Sequence, residues 1–217
     1  MSDLLNLVQR HKPAKHAHYW QCYKPFLAPR RESATCVLEI GVGGGGSLRV
    51  WQDYFPQARI IGVDINPAKC FEDDRITVLC GDQGDLGFLE SLKELGPFDV
   101  IVDDGSHRVS DQLVSLDVLS ECLKPQGVYG IEDLHTSYWP AFGGGRDTAN
   151  TVEFVMHRVH GLNYSYWRDT DDTTPLGTLF RRHNPGNTDY VKAEPTWWDL
   201  NIGSIHFYES LCILIRR

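Results

Sequence analysis

Apolar residues recur along the chain in short runs separated by stretches of helical periodicity. Five runs have strand length: "TCVLEI" (35–40), "RIIGVDI" (59–65), "ITVLC" (76–80), "FDVIVDD" (98–104) and "GVYGIED" (127–133). Between them lie "LRVWQDYF", "LGFLESLKELG" and "SDQLVSLDVLSECLKPQG", which read as helices, the last stopping on Pro125 and Gly127. Largely apolar strands alternating with helices predict an α/β fold, a mostly parallel sheet with helices on both faces. Later in the chain "LGTLFRR" and "SIHFYESLCILIRR" are strand-like, and the second alternates well enough to pair antiparallel at a sheet edge. Ahead of the first strand, Leu4, Leu5 and Val8 share a helical spacing, and "HKPAKHAHYWQCYKPFL" is helix-compatible. That leading segment reads either as a helix covering the sheet or as a lid over a site at the carboxyl ends of the strands.

The 217 residues contain no internal repeat and no linker-like stretch, which predicts a single domain. No apolar run approaches the roughly 20 residues of a membrane span, and "MSDLLNLVQRHKPAKHAHYW" lacks the apolar block of a signal peptide, so a cytoplasmic protein is expected. A formal net charge of −8 provides no field that attracts phosphates, which argues against a nucleic-acid partner and for a small molecule. Six cysteines include no CxxC pair, and Cys36, Cys80 and Cys212 sit inside apolar runs, so buried free thiols are expected.

Chemistry enters at "LEIGVGGGGSLRV", where a strand gives way to a helix through a glycine-rich turn, with Ser47 placed to cap the helix. The turn fits two templates. As GxGxxG (Gly41, Gly43, Gly46) it matches a dinucleotide fingerprint. As ExGxGxG (Glu39, Gly41, Gly43, Gly45) it resembles the cofactor loop of class I S-adenosylmethionine-dependent methyltransferases. Asp64, ending the second strand, suits the ribose hydroxyls of either cofactor. Two further features favour the methyltransferase: "CGDQGD" looks like that family's adenine-binding turn, which implies Asp82 at the adenine amino group and Gln83 in the pocket wall, and the sequence contains no YxxxK pair.

The second chemical cluster is "DDGSH" at the end of the fourth strand, with "IED" at the end of the fifth. Ligands of an open α/β sheet bind beyond the carboxyl ends of its strands, so Asp104, Glu132 and Asp133 are expected in one crevice. Three carboxylates there repel unless protonated or bound to a cation, and Mg²⁺ is the default hard ion. His107, three residues past Asp104, is the candidate general base, since a histidine exchanges a proton near neutral pH. Its alternative is a surface position at a helix start, and that of the carboxylates is helix capping or pairing with Arg108 and Lys124. Asp103 is expected to be structural or near the cofactor. His135 is either a second active-site histidine or a support for the metal ligands. Tyr138, Trp139, Phe142, Arg146, Trp197 and Trp198 are candidates for the acceptor site, or else core and oligomer contacts.

Taken together, "LEIGVGGGGSLRVW", "IGVDINP", "GDQGD", "VDDGSH" and "IEDLHTSYW" resemble the metal-dependent sugar O-methyltransferases of macrolide and related pathways, including the mycinamicin and macrocin enzymes and rhamnosyl O-methyltransferases. The resemblance covers roughly residues 36 to 140. It implies a Rossmann-like fold with a seven-stranded, mostly parallel sheet and an antiparallel last strand. The chain then divides into a helical lid (1–30), a cofactor and metal core (35–135), acceptor loops with a late helix and strand (136–205) and the last strand (206–217). It further implies S-adenosyl-L-methionine and Mg²⁺ as cofactors, Asp104, Glu132 and Asp133 as metal ligands, His107 as base, a small-molecule hydroxyl acceptor, and, since family members are often multimers, a homo-oligomer. A catechol or phenol O-methyltransferase, a nicotinamide-dependent oxidoreductase and a non-catalytic binding module are the competing readings.

Overall fold

The computed structural model describes residues 3–146, 148–166 and 195–217. Eight strands form one sheet: β1 (Cys36–Ile40), β2 (Arg59–Asp64), β3 (Glu72–Asp73), β4 (Ile76–Cys80), β5 (Phe98–Asp103), β6 (Leu123–Ile131), β7 (Ile202–Tyr208) and β8 (Leu211–Arg216). Their order is β3-β4-β2-β1-β5-β6-β8-β7. The β4-β2-β1-β5-β6 block is parallel, and β3, β8 and β7 each pair antiparallel with their neighbours.

Alternation along the parallel strands feeds two apolar layers. Val37, Val100 and Val128 face one layer, built with Leu4, Trp20, Tyr23, Trp51 and Phe55. Leu38, Ile101 and Tyr129 face the other, built with Leu89, Leu116, Leu119 and Val155. The first layer includes the leading helices α1 (Leu4–His11) and α2 (Ala17–Leu27), which bury Leu4, Leu7, Tyr19, Trp20, Tyr23 and Leu27. The segment ahead of β1 therefore covers the sheet, and the 12–16 loop between its helices lies at the carboxyl ends of the strands.

Four expectations are corrected. Among the described residues the sheet has eight strands where seven were expected, and one of them is the two-residue β3. The helix after β5, Val109–Ser120, stops well before Pro125, and β6 already begins at Leu123. The ladder of β6 to β5 jumps from Phe98↔Leu123 to Val100↔Val128, so Lys124 to Gly127 form an irregularity within the strand. The stretch 206–217 is not a single strand: it holds the end of β7, a turn at Glu209-Ser210, and β8, which inserts between β6 and β7. Of the thiols, Cys36 and Cys212 are buried, whereas Cys80 is exposed at the end of β4; all six are free. "LGTLFRR" lies outside the described residues. Among the described residues no helix is long and apolar enough to cross a membrane.

Candidate active site

Strand order reverses between β1 and β5: the chain leaves β1 for β2 on one side and later returns to β5 on the other. The two strands part at their carboxyl ends. Ile40 O accepts from Asp104 N (2.9 Å) while the next residue, Gly41, donates its N–H to Val63 O (2.8 Å). Such a switch point opens a crevice suited to ligands. A cavity of about 350 Å³ lies there, lined by Gly41, Gly43, Asp64, Asp104, His107 and Asp133.

Gly41 has φ +87°, and a Cβ there would lie 2.0 Å from Asp104 O, so only glycine lets the two turns meet. Gly43 and Gly44 face open space. Gly45, not Ser47, is the N-cap of α3 (Gly46–Tyr54). Ser47 is buried and donates to Glu39 Oε2 (2.7 Å), which corrects its expected capping role. Asp64 accepts the N–H groups of Val42 (3.1 Å) and Asn66 (2.9 Å), which fixes its carboxylate at the cavity rim. Asp82 is exposed and accepts from Gly84 N (2.8 Å), forming the tight turn after β4.

Gln83 and Asp103 prove to be one buried unit. Gln83 Nε2 donates to both Asp103 oxygens (2.7 and 2.8 Å), Ser115 Oγ donates to Asp103 Oδ2 (2.6 Å), and Gln83 Oε1 accepts Ser106 N (2.8 Å). Burial pushes the Asp103 carboxyl up to about 6, against the pull of Ser115 and Gln83. Gln83 thus ties the turn after β4 to the one after β5, and Asp103 is structural. Replacing Gln83 with alanine should lower unfolding free energy at pH 7 by about 1–3 kcal/mol. The lost bonds favour the ionised acid, so in urea titrations the deficit should shrink as pH falls through about 6.

On the far wall, His107 (φ +57°) and Asp133 (φ +56°) both hold the left-handed conformation, at about 1–2 kcal/mol each for residues with a Cβ. The two strained turns are joined by Thr136, whose hydroxyl lies 3.0 Å from His107 O and 2.8 Å from Asp133 O. His107 Nε2 is 3.4 Å from Asp133 Oδ2, and its Nδ1 is buried without a hydrogen-bond partner. Asp104, His107 and Asp133 present ligand atoms within 4.8 Å of one another, a donor set that fits a divalent cation.

The structure adds three residues that the sequence reading passed over. Lys15 Nζ reaches Asp104 Oδ2 (2.7 Å), Glu39 Oε1 (2.8 Å) and Glu132 Oε2 (3.0 Å). Burial disfavours this ammonium, yet Glu132, Glu39 and Asp104 outweigh it and hold its pKa well above the ordinary lysine value. Tyr23 donates to Glu132 Oε1 (3.0 Å) and Tyr19 to Asp133 Oδ1 (2.8 Å). Burial raises the pKa of both Glu39 and Glu132, and Lys15 opposes it in each. Glu132 accepts from Lys15 through Oε2 and from Tyr23 through Oε1. Tyr19 and Tyr23, four residues apart, share one face of α2, and that spacing was the available signal.

The acceptor candidates divide. His135 packs edge-on against Trp139 (ring centroids 4.8 Å apart), and its Nδ1 is hydrogen-bonded to Ser210 Oγ (2.6 Å). Together with Tyr138, His16 and Phe207 they line a groove of about 560 Å³. Phe142 stands 5.9 Å from Trp139, between ring centroids. Arg146 is exposed and does not line the groove. Trp197 and Trp198 pack elsewhere, against Arg216 and against Phe154 and Arg158. Lys124 pairs with Asp99 rather than with the crevice carboxylates.

Comparison with known proteins gives this geometry a context. The model of the FtsJ-like methyltransferase family matches residues 18–137. The chain is 35% identical to the 8-demethyl-8-α-L-rhamnosyl tetracenomycin-C 2'-O-methyltransferase of Streptomyces olivaceus, over 99% of this chain and 54% of that protein. It is 42% identical to the demethylmacrocin O-methyltransferase of Streptomyces fradiae, over 73% of this chain and 42% of that one. Among solved structures, the MycE methyltransferase of the mycinamycin biosynthetic pathway, in complex with Mg and SAH, superposes with a TM-score of 0.83 at 29% identity. That match covers 99% of this chain and 54% of MycE. The chain spans about half the length of these relatives.

Proposed function

The chain belongs to the FtsJ-like methyltransferase family, and from that premise we propose an S-adenosylmethionine- and Mg²⁺-dependent O-methyltransferase that acts on a small-molecule hydroxyl, with a sugar of a secondary metabolite or glycolipid as the acceptor class. The observation that carries this reading is the shared cavity, whose lining includes the glycine turn and Asp64 together with Asp104, His107 and Asp133. The named activities of the tetracenomycin and macrocin relatives support the acceptor class.

When bound, S-adenosylmethionine supplies an electrophilic methyl group, and Mg²⁺, held by the Asp104, Glu132 and Asp133 set that the resemblance implies, acidifies the oxygen it polarises. The chain's own residues position and deprotonate. Gly43 and Gly44 leave room for the cofactor at the turn, and Asp64 offers its carboxylate to the ribose. His107 takes the acceptor hydroxyl's proton, and Asp133 at 3.4 Å stabilises the resulting imidazolium. Methyl transfer then depends on holding the acceptor oxygen in line with the methyl carbon. The groove beside His135 and Trp139 offers aromatic faces to the acceptor.

Excess EDTA should abolish turnover, and added Mg²⁺ should restore it. Full activity in the chelator would contradict the metal assignment. A panel of glycosides and catechols assayed in parallel should show methylation of glycosides; turnover confined to catechols would replace the acceptor class. Trp139→Ala should raise the KM for the acceptor roughly tenfold, matching about 1.4 kcal/mol of lost ring contact, with kcat little changed.

A further inference from the structure

We propose that Ser210, at the tip of the β7–β8 hairpin, is a positioning residue for the acceptor: its hydroxyl holds the imidazole of His135 as an Nε2–H donor at the aromatic groove. The proposal rests on the acceptor reading above and deepens it by naming the group that sets a polar contact of the groove. The β7–β8 ladder closes at Tyr208↔Leu211, so Glu209 and Ser210 alone make the turn, and Ser210 has φ +59°. Glycine or asparagine fills such a position at lower cost. What the serine adds is its side chain. Ser210 Oγ accepts the His135 backbone N–H at 3.3 Å and lies 2.6 Å from His135 Nδ1. Among the described residues that hydroxyl has no partner besides His135. His135 lines the groove, and its Nε2, neither buried nor bonded among the described residues, is open to a ligand.

The hydrogen count sets the ring's tautomer. A hydroxyl carries one hydrogen, and among the described residues Nδ1 is the one acceptor within its reach. Nδ1 then accepts, and the neutral ring keeps its proton on Nε2. Such a ring offers a hydrogen bond to an acceptor oxygen and takes no part in the proton transfer assigned to His107. Trp139 and His16 stand edge-on to it, with ring centroids 4.8 and 6.5 Å away. The same segment ties the groove to the base. Leu134 N (3.0 Å) and Tyr19 Oη (3.2 Å) donate to Ser210 O, and His18 Nε2 lies 2.9 Å from Glu209 O. Thr136, the residue after His135, is bonded to His107 O and Asp133 O. Leu134, His135 and Thr136 thus join the hairpin tip to the turn of His107, and His107, Asp133 and Ser210 are all non-glycine residues at positive φ. Backbone strain gathered around one short segment is a mark of a pre-organised site. The backbone bonds need no particular residue at 210, whereas the bond to Nδ1 needs a side-chain donor.

Two variants and one spectrum of the full chain test this. Ser210→Gly relieves the backbone and Ser210→Ala does not, but both remove the hydroxyl. With S-adenosylmethionine, Mg²⁺ and 4-nitrophenyl glycosides as acceptors, both should raise the KM for the glycoside by about three- to tenfold, the loss of one hydrogen bond, with kcat within about twofold of the parent chain. In thermal unfolding the glycine variant should be the more stable of the two, so the shared KM defect does not follow stability. In a His135→Ala background Ser210→Gly should add less than about twofold, because the ring it serves is gone. Nitrogen NMR of the parent chain should find the neutral ring of His135 protonated at Nε2. Protonation at Nδ1, or an unchanged KM in both variants, would overturn the proposal and leave the acceptor reading standing. Methyl transfer to none of the glycosides by the parent chain would sink that reading and take the proposal with it.

Discussion

His107→Ala is expected to lower turnover by about 10²–10⁴-fold, the usual contribution of a positioned general base. Binding of S-adenosylhomocysteine should change by no more than about twofold, because the imidazole is engaged with Asp133 and serves the acceptor's proton rather than the cofactor. Single-turnover kinetics alongside calorimetry separate the two quantities. The backbone sharpens the expectation. His107 and Asp133 are both held at φ near +57°, in turns that Thr136 ties together, so the imidazole and carboxylate are locked against each other by their main chains. His107→Gln keeps a polar side chain but cannot accept a proton in this range, so it should be nearly as slow as alanine. A His107→Ala variant with full rate would remove the residue from the mechanism.

Gly41→Ala is the second large effect, and it acts through geometry rather than chemistry. The new Cβ would sit 2.0 Å from Asp104 O and 2.6 Å from its carbonyl carbon, at φ +87°. Relief requires the turn after β1 to move away from the turn that carries Asp104. A non-glycine residue in this region costs about 1–2 kcal/mol, and overpacking adds about 1–3 kcal/mol. Thermal unfolding should therefore show a loss of several kcal/mol, and calorimetry a loss of S-adenosylhomocysteine affinity of about tenfold or more. Gly43→Ala is the matched control. Its Cβ meets nothing within 4 Å, so only the conformational part remains, about 1–2 kcal/mol. Equal destabilisation by the two substitutions would show that contact with the Asp104 turn is not what fixes Gly41.

The parallel core was legible because its strands are apolar throughout and bounded by turn residues. "ITVLC" matches β4 residue for residue, and β1, β2 and β5 differ by one residue at an end. The start of β6 was hidden because Pro125 and Gly127 usually end helices, whereas here they fall in an irregularity that interrupts the ladder without ending the strand. The terminal hairpin was hidden because the alternating pattern of β7 runs on towards the apolar β8 and only Glu209 and Ser210 mark the turn.

The site shows the same division. Glycine spacing and the two acidic strand ends were readable as patterns local to one strand and its turn. The role of Ser47 was not, because a serine at the start of a helix usually caps it, and only the fold brings Glu39 beneath it. Lys15 was still less visible. It lies 117 residues from Glu132, in a segment that reads as a helix covering the sheet or as a lid, and no local pattern joins a lysine to acids across that distance. Long-range electrostatic partners of this kind appear only when topology brings the segments together.

The most direct test of the central claim is calorimetric titration of S-adenosylhomocysteine into the purified chain, with NADH titrated in parallel, since the glycine turn and Asp64 suit either cofactor when considered alone. Micromolar binding of S-adenosylhomocysteine with no heat from NADH is the predicted result. Binding of NADH with no response to S-adenosylhomocysteine would contradict the account and require the roles of His107, Asp104 and Asp133 to be rebuilt around hydride transfer.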